Sequence, residues 1–169
     1  MDADLKEWVD RQKIYEVIAR YCRGVDRGDP DLIRSVYHAD ATDDHGMFQG
    51  LGHDFADWIV KWNRENIKLS QHFIGNFLCE FHKEVALTET YCISFSEDFS
   101  GQHMTVYNRY LDRFEFRHGH WKIAERRVVL DLTRIDPISG SFGNAPGWDF
   151  TWGRMDDRDP VYPHLHSTT

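Results

Sequence analysis

Past residue 69 the chain carries four stretches dense in aromatic and β-branched residues, 72–81, 85–95, 103–116 and 121–132. They are separated only by His82-Lys83-Glu84, by 96–102 and by Arg117-His118-Gly119-His120. Connections this short join neighbouring strands, so the spacing predicts a meander of sequential antiparallel strands.

Before the meander the period is different. Over 5–25 the apolar residues Ile14, Val17, Ile18, Tyr21, Cys22 and Val25 recur three and four apart, which predicts an amphipathic helix packed on something large and ending near Gly28. Asp29-Pro30 reads as an N-cap followed by proline at the first position of a short helix with Leu32, Ile33, Val36 and Tyr37 inward. Asp40-Ala41-Thr42 leads into a polar, Gly-bearing stretch through Gly52, and Asp54 reads as the cap of a third helix carrying Phe55, Trp58, Ile59 and Trp62. Helices first and a meander afterwards give an α+β fold, a curved antiparallel sheet covered on one face by the N-terminal helices.

The segment 134–147 reads as a loop, with Gly140, Gly143 and Gly147 beside Pro137 and Pro146. Residues 148–169 have too little periodicity for a domain and too many aromatics for a solvated tail. The division is therefore a domain over 1–133 and, over 134–169, an arm that closes the pocket or packs on a neighbouring subunit.

Charge narrows the function. Acidic residues outnumber basic ones by 28 to 20, giving a net charge of -8, which argues against a nucleic-acid surface and for a small, uncharged or mildly polar ligand. Cys22, Cys79 and Cys92 are odd in number and set in apolar segments, as buried thiols of a reducing compartment are. The N-terminal residues lack the basic and apolar regions of a signal peptide, and no apolar run is long enough to span a bilayer; the expectation is a cytoplasmic protein.

Two residues carry the chemistry. Asp26 falls near the inward stripe at the C-terminal end of the first helix, where the helix dipole disfavours a carboxylate. Such a placement marks either a functional site or a compensating partner, Arg23 or Arg27 at the surface being the simplest. His72 opens a strand whose alternate positions are His72, Ile74, Asn76 and Leu78. It is either a core histidine bonded to backbone or, if it meets a buried carboxylate, a general base with an orienter. Tyr91, Asn108 and Asp131 lie on predicted strands, where they complete a pocket or satisfy structural hydrogen bonds. Phe48, Trp58, Trp62, Phe73 and Phe95 line a cavity or form ordinary core. No His-Glu-x-x-His helix, paired cysteine motif or phosphate-cradling glycine loop is present, so neither a metal nor a nucleotide cofactor is expected.

The order and spacing of Tyr21 and Gly24-Val25-Asp26, then His72-Phe73-Ile74-Gly75-Asn76, then Asn108-Arg109-Tyr110-Leu111-Asp112-Arg113-Phe114 and Trp121-Lys122-Ile123-Ala124 resemble the SnoaL-like branch of the nuclear transport factor 2-like superfamily. The likeness covers nearly the whole chain, including an ending similar to Asp157-Arg158-Asp159-Pro160-Val161-Tyr162. It implies a cone-shaped α+β barrel enclosing a small-molecule pocket. Scytalone dehydratase, lindane dehydrochlorinase and bile-acid 7α-dehydratase of that branch use an Asp/His pair to remove a proton and expel a leaving group. By position Asp26 and His72 match that pair. Tyr21 matches a tyrosine able to donate to a substrate carbonyl or enolate, and Arg126 matches a leaving-group arginine, with Arg127 facing the opposite way. The later arginine of the bile-acid enzyme has no counterpart at Leu130. With Asn76, Tyr91 and Asn108 as further substrate contacts, the implied protein is a cofactor-independent lyase or isomerase for a hydrophobic, cyclic small molecule, working as a trimer or dimer. A non-catalytic binding or assembly module and a polyketide-cyclase-like aldol enzyme are the alternatives on the same fold.

Overall fold

The computed structural model of the chain describes residues 2–137 and 151–166. Three helices lead: α1 (Ala3–Arg27), α2 (Pro30–Val36) and α3 (Gly52–Asn66), with strands β1 (Tyr37–Asp44) and β2 (Gln49–Leu51) between the last two. The strands β3 (Ile67–His82), β4 (Val85–Asp98), β5 (Gln102–Arg117) and β6 (His120–Pro137) come next, and α4 (Val161–His166) ends the described chain. The sheet order is β2-β1-β6-β5-β4-β3. It is a curved, unclosed sheet with the helices on its concave face, the expected α+β cone.

α1 stops where expected, because Gly28 takes the left-handed conformation (φ 61°) that a side chain resists and its N–H returns to the carbonyls of Gly24 and Val25. Asp29 caps α2 by accepting the Leu32 N–H at 2.9 Å, with Pro30 at the first turn. Ile14, Ile18, Tyr21 and Val25 of α1 then meet Phe114, Trp121 and Ile123 of the sheet and Phe55 of α3 in one core cluster.

Four expectations need correction. First, the polar stretch after Tyr37 is strand, and β1 pairs with β6 in parallel, so the sheet is not wholly an antiparallel meander. Its aspartates hid it: Tyr37, Ala41 and Asp43 turn inward, and Asp43 is tolerated because Tyr37 donates to it at 2.6 Å. Second, α3 begins at Gly52 and Asp54 is a first-turn residue, with no side-chain cap. Third, β6 runs to Pro137, beyond the loop start expected at 134; the remainder of that loop and residues 148–150 lie outside the described residues. Fourth, a β-bulge between Ile74 and Phe77 breaks the alternation of β3. His72 and Ile74 are half-buried, but beyond the bulge Phe77, Cys79 and Phe81 turn inward, leaving Asn76 and Leu78 exposed. The four residues thus do not share one face.

Residues 151–166 rest on the end of α1. Asp159 accepts the Arg154 and Val161 N–H groups at 2.7 and 3.0 Å and faces Arg27 at 3.6 Å, while Tyr162 donates to Asp29. No helix among the described residues is long and apolar enough to cross a membrane.

Candidate active site

The last turn of α1 points Asp26 into the start of β3, where it is 6% exposed. One carboxylate oxygen accepts the Ser70 hydroxyl at 3.0 Å and His72 Nδ1 at 2.5 Å, and the other accepts the His72 backbone N–H at 2.9 Å. These three bonds answer the unfavourable helix dipole. Burial pushes the Asp26 carboxyl up, but the hydrogen bonds and charge of His72, with the Ser70 hydroxyl, outweigh it and hold the group below its ordinary value. Arg27 goes elsewhere, donating to the backbone carbonyls of Asp26 and Arg154, both at 3.0 Å. An ionised carboxylate only accepts, so Nδ1 of His72 carries a proton, and whenever the ring is neutral Nε2 is the nitrogen that keeps its lone pair. The His72 side chain retains 13% of its exposure, against 8% for that of Asp26. A cleft of about 390 Å³ is bordered by Arg27 and Ser70, neighbours of the pair, and by Met104 and Gly153; Asp26 and His72 themselves do not line it.

Tyr21 and Arg126 sit deeper. The guanidinium of Arg126 donates twice to Asp112 at 2.7 Å and lies over the rings of Tyr21 and Tyr110, 4.1 and 4.2 Å from their centroids. Neither side chain of the Arg126–Asp112 pair is exposed, and Nη1 of Arg126 has no partner. Burial pushes the guanidinium's pKa down, but the Asp112 charge outweighs it and holds the group well above its ordinary value. The register settles the neighbouring choice, since Arg126 points inward and Arg127 outward, 3.8 Å from Asp44. Tyr21 is 1% exposed, and its hydroxyl meets His45 Nε2 at 2.9 Å. His45 Nδ1 in turn bonds Asp43.

The remaining residues expected at a site are dispersed. Asn108 is buried on the inner face with its Oδ1 unpartnered. Tyr91 faces outward at 45% exposure and Asn76 is exposed at the bulge; both border a groove of about 400 Å³ with Phe73 and Tyr107, which backs onto the inner face at Cys92 and Asn108. Asp131 pairs with Arg109. Phe48, Trp58 and Trp62 pack against the core, whereas Phe73 and Phe95 form an exposed edge-to-face pair. The structure therefore brings Asp26 and His72 together, sets Tyr21 and Arg126 in contact with each other, and leaves Asn76 and Tyr91 apart from both. Sequence reasoning missed Ser70, Asp43, His45 and Asp112. Ser70 was within reach, lying two residues before His72 on the same strand face. Among the described residues no three His, Cys, Asp or Glu side chains converge as a metal-ligand set.

The SnoaL-like domain family matches residues 6–127. A candidate scytalone dehydratase from Novosphingobium aromaticivorans superposes with a TM-score of 0.70 at 16% identity, covering 80% of this chain and 97% of its own. A hexachlorocyclohexane dehydrochlorinase, LinA of the second type, gives 0.72 at 20% identity over 86% and 99% of the two chains. A LinA of the third type from Novosphingobium barchaimii gives 0.70 at 21% identity over 82% and 97%. No curated protein matches the chain significantly. Likeness at these identities is a likeness of fold.

Proposed function

The chain belongs to the SnoaL-like domain family, and from that premise we propose that it is a cofactor-independent lyase of dehydratase type, or an isomerase, acting on a hydrophobic cyclic small molecule. The observation that carries the reading is the bond between Asp26 and His72 Nδ1. Three geometries separate the candidate functions. A carboxylate bonded to His72 inside a closed apolar pocket favours elimination, an exposed one paired with Arg23 favours a binding module, and a lone buried acid in the pocket favours aldol cyclisation. Asp26 is buried and bonded to His72.

His72 Nε2 removes a proton from carbon, and Asp26 fixes the ring and stabilises the imidazolium as it forms. The electrons left on carbon expel the leaving group, or, in an isomerisation, shift along the substrate and take the proton back from the His72 imidazolium at another carbon. Hexachlorocyclohexane and hydroxylated ketones are suitable first probes, since two of the similar folds carry the names of a dehydrochlorinase and a dehydratase. The test is chloride or water release by wild type, His72→Ala and Asp26→Asn; full activity in both variants would sink the mechanism. We further infer that copies of the chain cover the outer sheet face, where Phe73, Leu87, Tyr91, Phe95 and Leu111 are each 38% exposed or more. Light scattering of wild type and Phe95→Lys tests this, and a monomeric wild type refutes it.

A further inference from the structure

A second histidine–carboxylate pair lies across the core, and it ends on a tyrosine. Asp43 of β1, 2% exposed, accepts from the Tyr37 hydroxyl at 2.6 Å and bonds Nδ1 of His45. His45 Nε2 stands 2.9 Å from the Tyr21 hydroxyl, and the imidazole is stacked on Phe55 with centroids 4.2 Å apart. Phe55 also meets Phe48 and Trp58. The His45 side chain is therefore held on two nitrogens and one face, although it sits in the turn after β1 where a histidine is ordinarily free.

We propose that Asp43 and His45 are positioning residues that control the proton of Tyr21, so that Tyr21 offers its hydroxyl to a substrate oxygen while His72 works on carbon. This rests on the proton-abstraction reading of His72. The donor inventory gives the logic. When His45 is neutral, Nδ1–H is committed to Asp43, Nε2 is an acceptor, and the single phenol proton of Tyr21 is spent on it. When His45 is protonated, Nε2–H donates to the Tyr21 oxygen and the phenol proton is free for a ligand. Asp43 stabilises that second state as a carboxylate stabilises any imidazolium.

In an elimination of water, the C–H bond breaks with its proton passing to His72 Nε2 and its electrons to the new double bond. The C–O bond breaks with its electrons to oxygen, which takes the Tyr21 proton and leaves as water. Tyr21 recovers its proton from His45 Nε2. One proton is gained at His72 and one lost at His45, and exchange with solvent restores both. Among the described residues, the charged or titratable groups facing this relay are Asp43 and Tyr37 from β1, Tyr21 and Cys22 from α1, Tyr110 from β5 and Arg126 from β6, with Asp112 behind it. Asp44 and Arg127 lie next to it on the rim. Burial pushes the Tyr21 phenol up while Arg126 pulls it down, and burial prevails, so Tyr21 stays a neutral donor.

The test uses the full chain and 4-nitrophenolate, an oxyanion with no acidic C–H. Calorimetry in two buffers of different ionisation enthalpy gives affinity and linked proton uptake together. Wild type should bind with proton uptake, and His45→Gln should bind about tenfold more weakly, without uptake, as expected for loss of one charge-assisted hydrogen bond. Tyr21→Phe should lose the same, and the double variant no more than either single one. Absence of wild-type binding, or binding and uptake unchanged in His45→Gln, overturns the proposal. Imidazole nitrogen spectra give a check that does not need a His45 variant: Tyr21→Phe should shift His45 Nε2, and an unmoved resonance refutes the relay. Since the probe has no proton for His72 to take, failure of the elimination reading appears separately, as retained turnover in His72→Ala.

Discussion

Replacing Asp112 by asparagine keeps the side-chain volume and removes the one counter-charge that Arg126 touches directly among the described residues. Both oxygens of Asp112 bond the guanidinium at 2.7 Å, and neither side chain reaches solvent. An amide oxygen can replace one of these bonds, but its NH2 group then points at the guanidinium. The rings of Tyr21 and Tyr110 remain stacked on the cation; each such contact is worth about 2 kcal/mol when desolvated but supplies no net negative charge. Removal of one partner from a buried ion pair costs about 3–5 kcal/mol, a large share of the roughly 5–15 kcal/mol that holds a domain together. The expected loss is of that size. Arg126→Met with Asp112→Leu should recover most of it, because the double variant abolishes the stranded charge and also the unpartnered Nη1, whose burial costs about 1–3 kcal/mol. Urea unfolding followed by far-ultraviolet circular dichroism measures both, provided the slope with denaturant is unchanged. An Asp112→Asn loss below about 1 kcal/mol, or a double variant as unstable as the single, would refute this view of Arg126 as a member of the core.

Three further outcomes are expected from the structure. A Cβ at Gly24 would lie 2.7 Å from Ile33 Cγ1 and 3.1 Å from Ile33 N. Overpacking of about 1–3 kcal/mol then exceeds the roughly 1 kcal/mol that alanine gains in helix propensity, so Gly24→Ala should lower the unfolding midpoint, and an unchanged or higher midpoint contradicts the packing of α1 on α2. Asp26 is held below its ordinary value when folded. It therefore contributes stability that is fully present above about pH 4, the unfolded value, and lost as pH falls through the folded one; Asp26→Asn should flatten that acid limb. His38 is lowered by burial and then by Arg117 and Lys122. Stability should be complete above about pH 6.5 and decline below it, and His38→Gln, which can still donate to the Glu115 carbonyl, should remove that slope.

The parts of the fold legible in the sequence are those in which a local period and its boundary residues agree. α1 shows its inward stripe and ends on Gly28, α2 shows Asp29-Pro30, and β4 to β6 show aromatic and β-branched runs with short turns. β1 was illegible because its buried aspartate is satisfied by Tyr37 within the strand and by His45 just beyond it, which no propensity reveals. Asn76 and Leu78 were misplaced because the bulge after Ile74 shifts every later side chain of β3 to the other face. At the site, the positions of Asp26 and His72 were readable and their contact was not, since 46 residues separate them and only the register of β3 against α1 brings them together. The Arg126–Asp112 bond is similar: two charged residues on adjacent strands, with the inward face fixed by pairing of β5 with β6.

The central claim is that Asp26 holds His72 with Nδ1 protonated and Nε2 free to take a proton. Long-range nitrogen–proton NMR of the imidazole rings at neutral pH tests it most directly, with His72→Ala assigning the signal. The account predicts a protonated Nδ1 and an unprotonated Nε2 for neutral His72, with that preference lost in Asp26→Asn. A protonated Nε2 in wild type, or a pattern that Asp26→Asn leaves unchanged, would contradict it.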